Sequence, residues 1–171
     1  QICTLNAISE KYELPQTMEN LKNNFFIVTG TGCRMRYVHS DPMNNAAIIR
    51  ISADGTYYEI IAEKNIKPTS ELPSHLLIHN VILGKGRKIK TVIHTHPIEL
   101  VAMTHNSDFL GKDVLSKLLW SMIPETRAFC PKGVGIVPYA LPGSMELAQK
   151  TVEQLDDYDV VLWEKHGALA I

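Results

Sequence analysis

The sequence predicts an α/β fold: a single domain spanning residues 1–171, with a central mixed, largely antiparallel sheet flanked by helices. Three observations lead there. Ala46 to Ile51 and Thr56 to Ile61 are β-rich runs joined by Ala53-Asp54-Gly55, and an Asp-Gly step between such runs marks an antiparallel hairpin. After residue 68, short apolar runs alternate with helical stretches, which adds helices to the faces of the sheet. A length of 171 residues suffices for one packed core and does not require a second.

Taken in order, residues 9–24 are polar, hold one proline and lack a clear period, so they read as a surface loop. Phe25 to Thr29 is a short buried-strand pattern ended by Gly30-Thr31-Gly32. Tyr37-Val38 is a further strand candidate before the Asp41-Pro42 turn. Pro68-Thr69-Ser70-Glu71 begins a helix that runs to about Leu83. Thr69 or Ser70 is available to cap it, and Leu72, Leu76, Leu77 and Val81 form its apolar stripe. Gly84-Lys85-Gly86-Arg87 ends that helix. A strand leads into His94, followed by helices from about Ile98 to Thr104 and from Asp108 to Met122. Ala128 to Val137 holds one or two strands, Pro142-Gly143-Ser144 opens a helix ending near Leu155, and Asp159 to Trp163 is a last buried strand.

Composition removes several classes of function. A net charge of −1 with no local Lys/Arg cluster gives no footprint for nucleic acid. No apolar run is long enough to cross a bilayer, and no signal-peptide pattern opens the chain. Cys3, Cys33 and Cys130 are widely spaced and form no CxxC pair, so neither a disulfide framework nor a cysteine zinc site is expected. A reducing, cytoplasmic setting follows. The chain starts at Gln1-Ile2-Cys3 and stops at Ala168-Leu169-Ala170-Ile171 inside a strand pattern, so it reads as a fold truncated at both ends.

The chemistry concentrates at His94-Thr95-His96. Residues two apart on a strand share a face, which sets two imidazoles about 7 Å apart along the backbone and able to pinch one divalent metal. Pro97 then stops strand pairing. A catalytic zinc needs a third protein ligand, from His39, His75, His79, His105 or His166. His166 is the first choice, because it follows a buried strand and precedes Gly167, where backbones can approach closely. His75 and His79 are the alternative: spaced i, i+4 on one helix, they form a stripe with Glu71. Two histidines on one sheet face can also be ordinary polar neighbours. Glu71 is a candidate general base beside the metal, while its local sequence favours the plainer reading of a favourable first-turn charge. The helix start at Thr69-Ser70 and the loop Gly30-Thr31-Gly32 offer donors to an anion. Glu125, after Pro124, lies in a connection that by itself reads as solvated.

These segments together resemble the class II aldolase/adducin family, and within it the branch acting on rhamnulose 1-phosphate. The resemblance rests on Phe26 to Gly32, Pro68 to Pro73, Ile93 to His96, Cys130 to Pro138 continuing to Ser144, and Val161 to Gly167. It implies a zinc ion, one per subunit, held by His94, His96 and His166, with Glu71 as catalytic acid/base. It also implies a phosphate site formed by Gly30, Thr31, Gly32, Thr69 and Ser70. Glu125 would reach the neighbouring subunit's site in a homotetramer. The implied reaction is reversible aldol cleavage of a phosphorylated ketose to dihydroxyacetone phosphate and L-lactaldehyde, without a lysine Schiff base. A fuculose-phosphate aldolase, a pentulose-phosphate epimerase, a metal-dependent hydrolase and a metal-free adducin-like binding module are the alternatives. Departures from the family pattern are the lack of a Gly-Asn segment before Ile2 to Asn6 and of the helices that follow the His-Gly step.

Overall fold

A computed structural model describes residues 8–61, 64, 66–111 and 113–171 of the chain. Cys3 and the Ile2 to Asn6 segment lie outside the described residues.

The strands sort into two four-stranded sheets. The first is wholly antiparallel and contains β1 (Ile8–Glu13), β2 (Phe25–Thr29), β3 (Ala46–Ile51) and β4 (Tyr57–Ile61), in the order β1-β4-β3-β2. The Asp54-Gly55 hairpin joins β3 to β4, with Ile49 opposite Ile60, and Gly55 takes φ +78°. The second sheet contains β5 (Ile93–Thr95), β6 (Val134–Val137), β7 (Val160–Trp163) and β8 (Gly167–Ala170), in the order β5-β8-β7-β6. It is mixed, because β6 and β7 run parallel while β7–β8 and β8–β5 run antiparallel.

Seven helices complete the described fold: α1 (Met35–Val38), α2 (Pro42–Asn45), α3 (Leu72–Gly84), α4 (Ile98–Met103), α5 (Val114–Met122), α6 (Pro124–Phe129) and α7 (Met145–Gln154). Helix α3 lies between the sheets. Its Leu72, Leu76 and Leu77 join Ile49, Ile51 and Ile60 in one core, and Ile78 and Ile82 join Val137, Val161, Trp163 and Leu169 in a second. A helix sandwiched this way is apolar nearly all round, so the expected single stripe understates its burial. The other face of the second sheet packs Leu162 and Ala168 against Leu115 of α5. The alternation Val161/Leu162/Trp163 thus feeds two cores from one strand.

Several local expectations change. Residues 9–24, expected as loop, contain β1 and a 3₁₀ turn at Glu19–Leu21. β1 is an edge strand that needs only its pairing with β4, reinforced by Tyr12 stacked on Tyr58 at 5.2 Å, and so carries little hydrophobic period. Tyr37-Val38 is helical, in α1. The helix expected over Asp108 to Met122 is split: Ser107–Phe109 is 3₁₀, and Asp113 takes φ +62° before α5 begins. The stretch around Ala128 belongs to α6, whose first turn is preset by Pro124.

Candidate metal centre

β5 and the β7–β8 hairpin build the centre. His94 pairs across the sheet with Leu169, and Thr95 with Ala168, which brings β5 alongside the hairpin whose tip carries His166. Lys165 at that tip takes φ +61°, and its N–H donates to Thr104 Oγ1 at 2.8 Å. Thr104 is buried, so the tip is tied to the end of α4. Gly167 answers to close packing: a Cβ there would lie 2.5 Å from the Thr95 carbonyl oxygen, 2.8 Å from His96 and 2.9 Å from His94.

One ligand atom from each of His94, His96 and His166 lies within 4.8 Å of the others. His94 Nδ1–H donates to the Ala168 carbonyl at 3.0 Å, which leaves Nε2 as the unprotonated nitrogen facing His96 Nε2 at 2.8 Å. A tetrahedral zinc with Zn–N of about 2.0–2.1 Å separates its nitrogens by roughly 3.3 Å, and a cluster with all three ligand atoms within 4.8 Å of one another is compact enough for that. His166 Nδ1 is buried and has no hydrogen-bond partner. Three clustered imidazoles, one of them with a buried nitrogen that no protein group satisfies, suit a cation, so the donor set fits zinc.

Burial drives the electrostatics. The His94 imidazolium is disfavoured by desolvation and then by His96, His166 and His75, which moves its pKa down to about 4 despite the opposing Ala168 carbonyl. His166 is also lowered, by burial and by His96, with Glu71 opposing. His94 and His166 are therefore held as neutral imidazoles, the form that binds metal. Trp163 packs across both rings, 4.5 Å from His94 and 5.1 Å from His166. Its indole N–H donates to buried Thr151 at 2.8 Å, and Thr151 in turn donates to the Leu147 carbonyl.

Glu71, at the N-terminal end of α3, is 4% exposed and close enough to His166 to act on its charge. It is not a helix cap by side chain; its Oε2 accepts the Gly143 N–H at 3.0 Å. Of the two expected caps, Thr69 accepts the Glu71 N–H through its Oγ1 at 3.3 Å, at the entry to α3. His75 and His79 remain on α3, and His75 lies near His94, but neither joins the three-nitrogen cluster. Burial lowers both, His75 to about 4, and His79 packs on Phe26 at 5.1 Å.

The two expected anion-binding segments are adjacent. Gly30 bridges Pro68, and Thr31 Oγ1 donates to the Pro68 carbonyl at 2.6 Å. Much of their backbone is already committed: the N–H groups of Gly30, Thr31 and Thr69 donate to Asn45, Lys67 and Thr29 carbonyls. Glu71 N–H goes to Thr69 Oγ1. Among the described residues, the Gly32 and Ser70 N–H groups take no protein partner. Glu125 is exposed on α6 and is not part of the imidazole cluster. Cys33 and Cys130 are free thiols. His39 and His105 are exposed and outside the cluster.

A profile of the Class II Aldolase and Adducin N-terminal domain matches residues 3–171. The chain belongs to the class II aldolase/adducin family. The rhamnulose-1-phosphate aldolase of Bacteroides thetaiotaomicron is 53% identical over 171 residues, covering all of this chain and 64% of that protein. The rhamnulose-1-phosphate aldolase of Klebsiella pneumoniae (strain ATCC 700721 / MGH 78578) is 37% identical over 157 residues, 90% of this chain and 56% of its own. The crystal structure of a sugar-phosphate aldolase from Thermotoga maritima superposes with a TM-score of 0.78 at 34% identity, covering 95% of this chain and 67% of that one. The chain thus spans less than two thirds of the two curated relatives. Within the family frame, sequence reasoning missed Trp163, Thr151 and Gly143. The indole in Val161-Leu162-Trp163 was visible only as an apolar strand residue, and Gly143 only as part of a helix start.

Proposed function

We propose that this chain is the metal-holding part of a zinc-dependent aldehyde-lyase that reversibly cleaves L-rhamnulose 1-phosphate to dihydroxyacetone phosphate and L-lactaldehyde. The observation that carries the reading is the convergence of three imidazoles beside one buried carboxylate. The substrate is supported by 53% identity to a relative named for that reaction. His94, His96 and His166 would hold the zinc, which would supply Lewis acidity toward negative charge developing at substrate oxygens. Glu71 moves the proton at the carbon that becomes nucleophilic: it delivers the proton in cleavage and removes it in condensation. Its seclusion from bulk water keeps that transfer between protein and substrate. Gly30, Thr31, Gly32, Thr69 and Ser70 grip the phosphate, with the Gly32 and Ser70 amides as the uncommitted backbone donors, and this remote hold fixes the reacting end. Glu125 acts from one subunit on the aldehyde half in its neighbour, within a homotetramer. The site works in the cytoplasm on a small phosphorylated sugar. Among the described residues, no helix is long and apolar enough to cross a membrane.

The test is zinc content and aldol cleavage of the full-length protein and its Glu71→Ala variant. Turnover falls by about 10²–10⁴-fold with zinc retained. Loss of zinc along with turnover makes Glu71 a ligand and overturns its role. Equal or reversed preference for fuculose 1-phosphate over rhamnulose 1-phosphate overturns the substrate.

A further inference from the structure

We infer that the backbone N–H of Gly143 is the positioning group for Glu71, selecting which carboxylate oxygen is held and which is free to exchange a proton with substrate. The inference rests on Glu71 being the acid/base. Among the described residues, the Gly143 N–H is the hydrogen-bond partner of that carboxylate, reaching Oε2 at 3.0 Å and leaving Oε1 unclaimed. Glu71 is 4% exposed, so water does not substitute for the donor.

Glycine at this position is required by close approach as well as by chain direction. Gly143 takes φ +73°, and a Cβ on it would lie 2.9 Å from the carbonyl oxygen of Ser70, the residue before Glu71. The obstacle is backbone, which cannot swing aside, so any side chain at 143 lifts the turn away from Glu71 and lengthens the bond. The turn is otherwise firmly held. Ser144 N–H donates to the Leu141 carbonyl at 3.1 Å, and Ser144 Oγ accepts the Leu147 N–H at 3.1 Å as the N-cap of α7. Leu147, Ala148 and Thr151 bury that helix. Through Thr151 and Trp163 the same helix reaches His94. One helix therefore spans from the carboxylate to the metal ligands and holds both in a single frame.

The experiment compares wild type, Gly143→Ala, Glu71→Gln, their double variant and Gly86→Ala, each as zinc-loaded full-length protein. Gly86 is the control: it follows α3 at φ +69° with nothing within 4 Å of a built Cβ, so alanine there meets the same left-handed strain without a neighbour. The readouts are zinc content, binding of dihydroxyacetone phosphate, and exchange of its carbon-bound proton with deuterated solvent. The exchange isolates proton transfer from cleavage. Gly143→Ala slows exchange about 100-fold with zinc content and ligand affinity retained, Gly86→Ala exchanges at the wild-type rate, and the double variant is no slower than Glu71→Gln alone. Gly143→Asn, which tolerates positive φ but carries the same Cβ, gives the same loss if the alanine variant folds poorly. Exchange in both Gly143 variants at the Gly86→Ala rate overturns the inference. So does further slowing of Glu71→Gln by Gly143→Ala. Wild-type exchange by Glu71→Gln is a different outcome: it overturns the acid/base assignment itself.

Discussion

Thr151→Val isolates the buried support behind the clustered imidazoles. Thr151 is fully buried, and its Oγ1 accepts the indole N–H of Trp163, itself 1% exposed, at 2.8 Å. Valine has nearly the same shape and helix propensity, so the change removes the indole's acceptor together with the hydroxyl's own donation to the Leu147 carbonyl, an oxygen on the same helix. Leaving a buried N–H unpaired costs about 1–3 kcal/mol. The added methyl returns under about 1 kcal/mol of apolar burial. The net expectation is a loss of about 1–2 kcal/mol, or a fall in Tm of roughly 2–8 °C for a chain of this size. The indole also leans on His94 at 4.5 Å and His166 at 5.1 Å, so freeing it loosens two of the three clustered imidazoles. Zinc affinity should fall about tenfold, the lower end of the effect of supporting contacts on metal sites. Urea unfolding of the metal-free protein reads the first effect, and zinc titration against a competing chelator reads the second. An unchanged unfolding midpoint together with unchanged zinc affinity would refute the reasoning.

Other consequences follow from the same contacts. Gly167→Ala places a Cβ against the Thr95 carbonyl and both strand histidines; it should abolish stoichiometric zinc binding and cost about 2 kcal/mol or more of stability, measured by metal analysis and thermal unfolding. In metal-free protein, His75 has a folded pKa of about 4 from burial and from His79, against about 6.5 unfolded. Between those values the unfolded chain binds more protons, so stability is full above pH 6.5 and falls toward pH 4. The His75 share of that fall is about 3 kcal/mol, and His75→Met should flatten it in a pH series of unfolding curves. Ser74 Oγ is fully buried without a partner on α3; Ser74→Ala should raise stability by about 1 kcal/mol, and a fall in the urea midpoint would show a bond to that hydroxyl.

The legible parts of the fold were those whose signals are local. The β3–β4 hairpin follows from Asp54-Gly55, and α7 from Ser144, which caps it by accepting the Leu147 N–H at 3.1 Å. β1 was not legible, because an edge strand is specified by the neighbour it pairs with, here β4, rather than by its own pattern. The break before α5 was hidden as well: the apolar period runs through a point where Asp113 adopts φ +62°. Of the candidate site, the His94/His96 pair was readable from strand geometry alone. Residues near it in sequence did not choose between His166 and the helical histidines, since that choice depends on which strand end lies beside β5.

By itself, the sequence determined that His94 and His96 share one face, that a carboxylate opens α3, and that glycines sit where backbones must crowd. These are properties of short segments, set by the two-residue repeat of strands, by caps and by turn chemistry. Only the tertiary structure decided which partners those segments meet. Pairing of β8 with β5 brings His166 to the histidine pair across more than 70 residues of chain. Packing of α3 against α7 turns Glu71 from a potential helix cap into a carboxylate held by Gly143. Long-range contacts of this kind are fixed by sheet order and core packing, which no local pattern encodes.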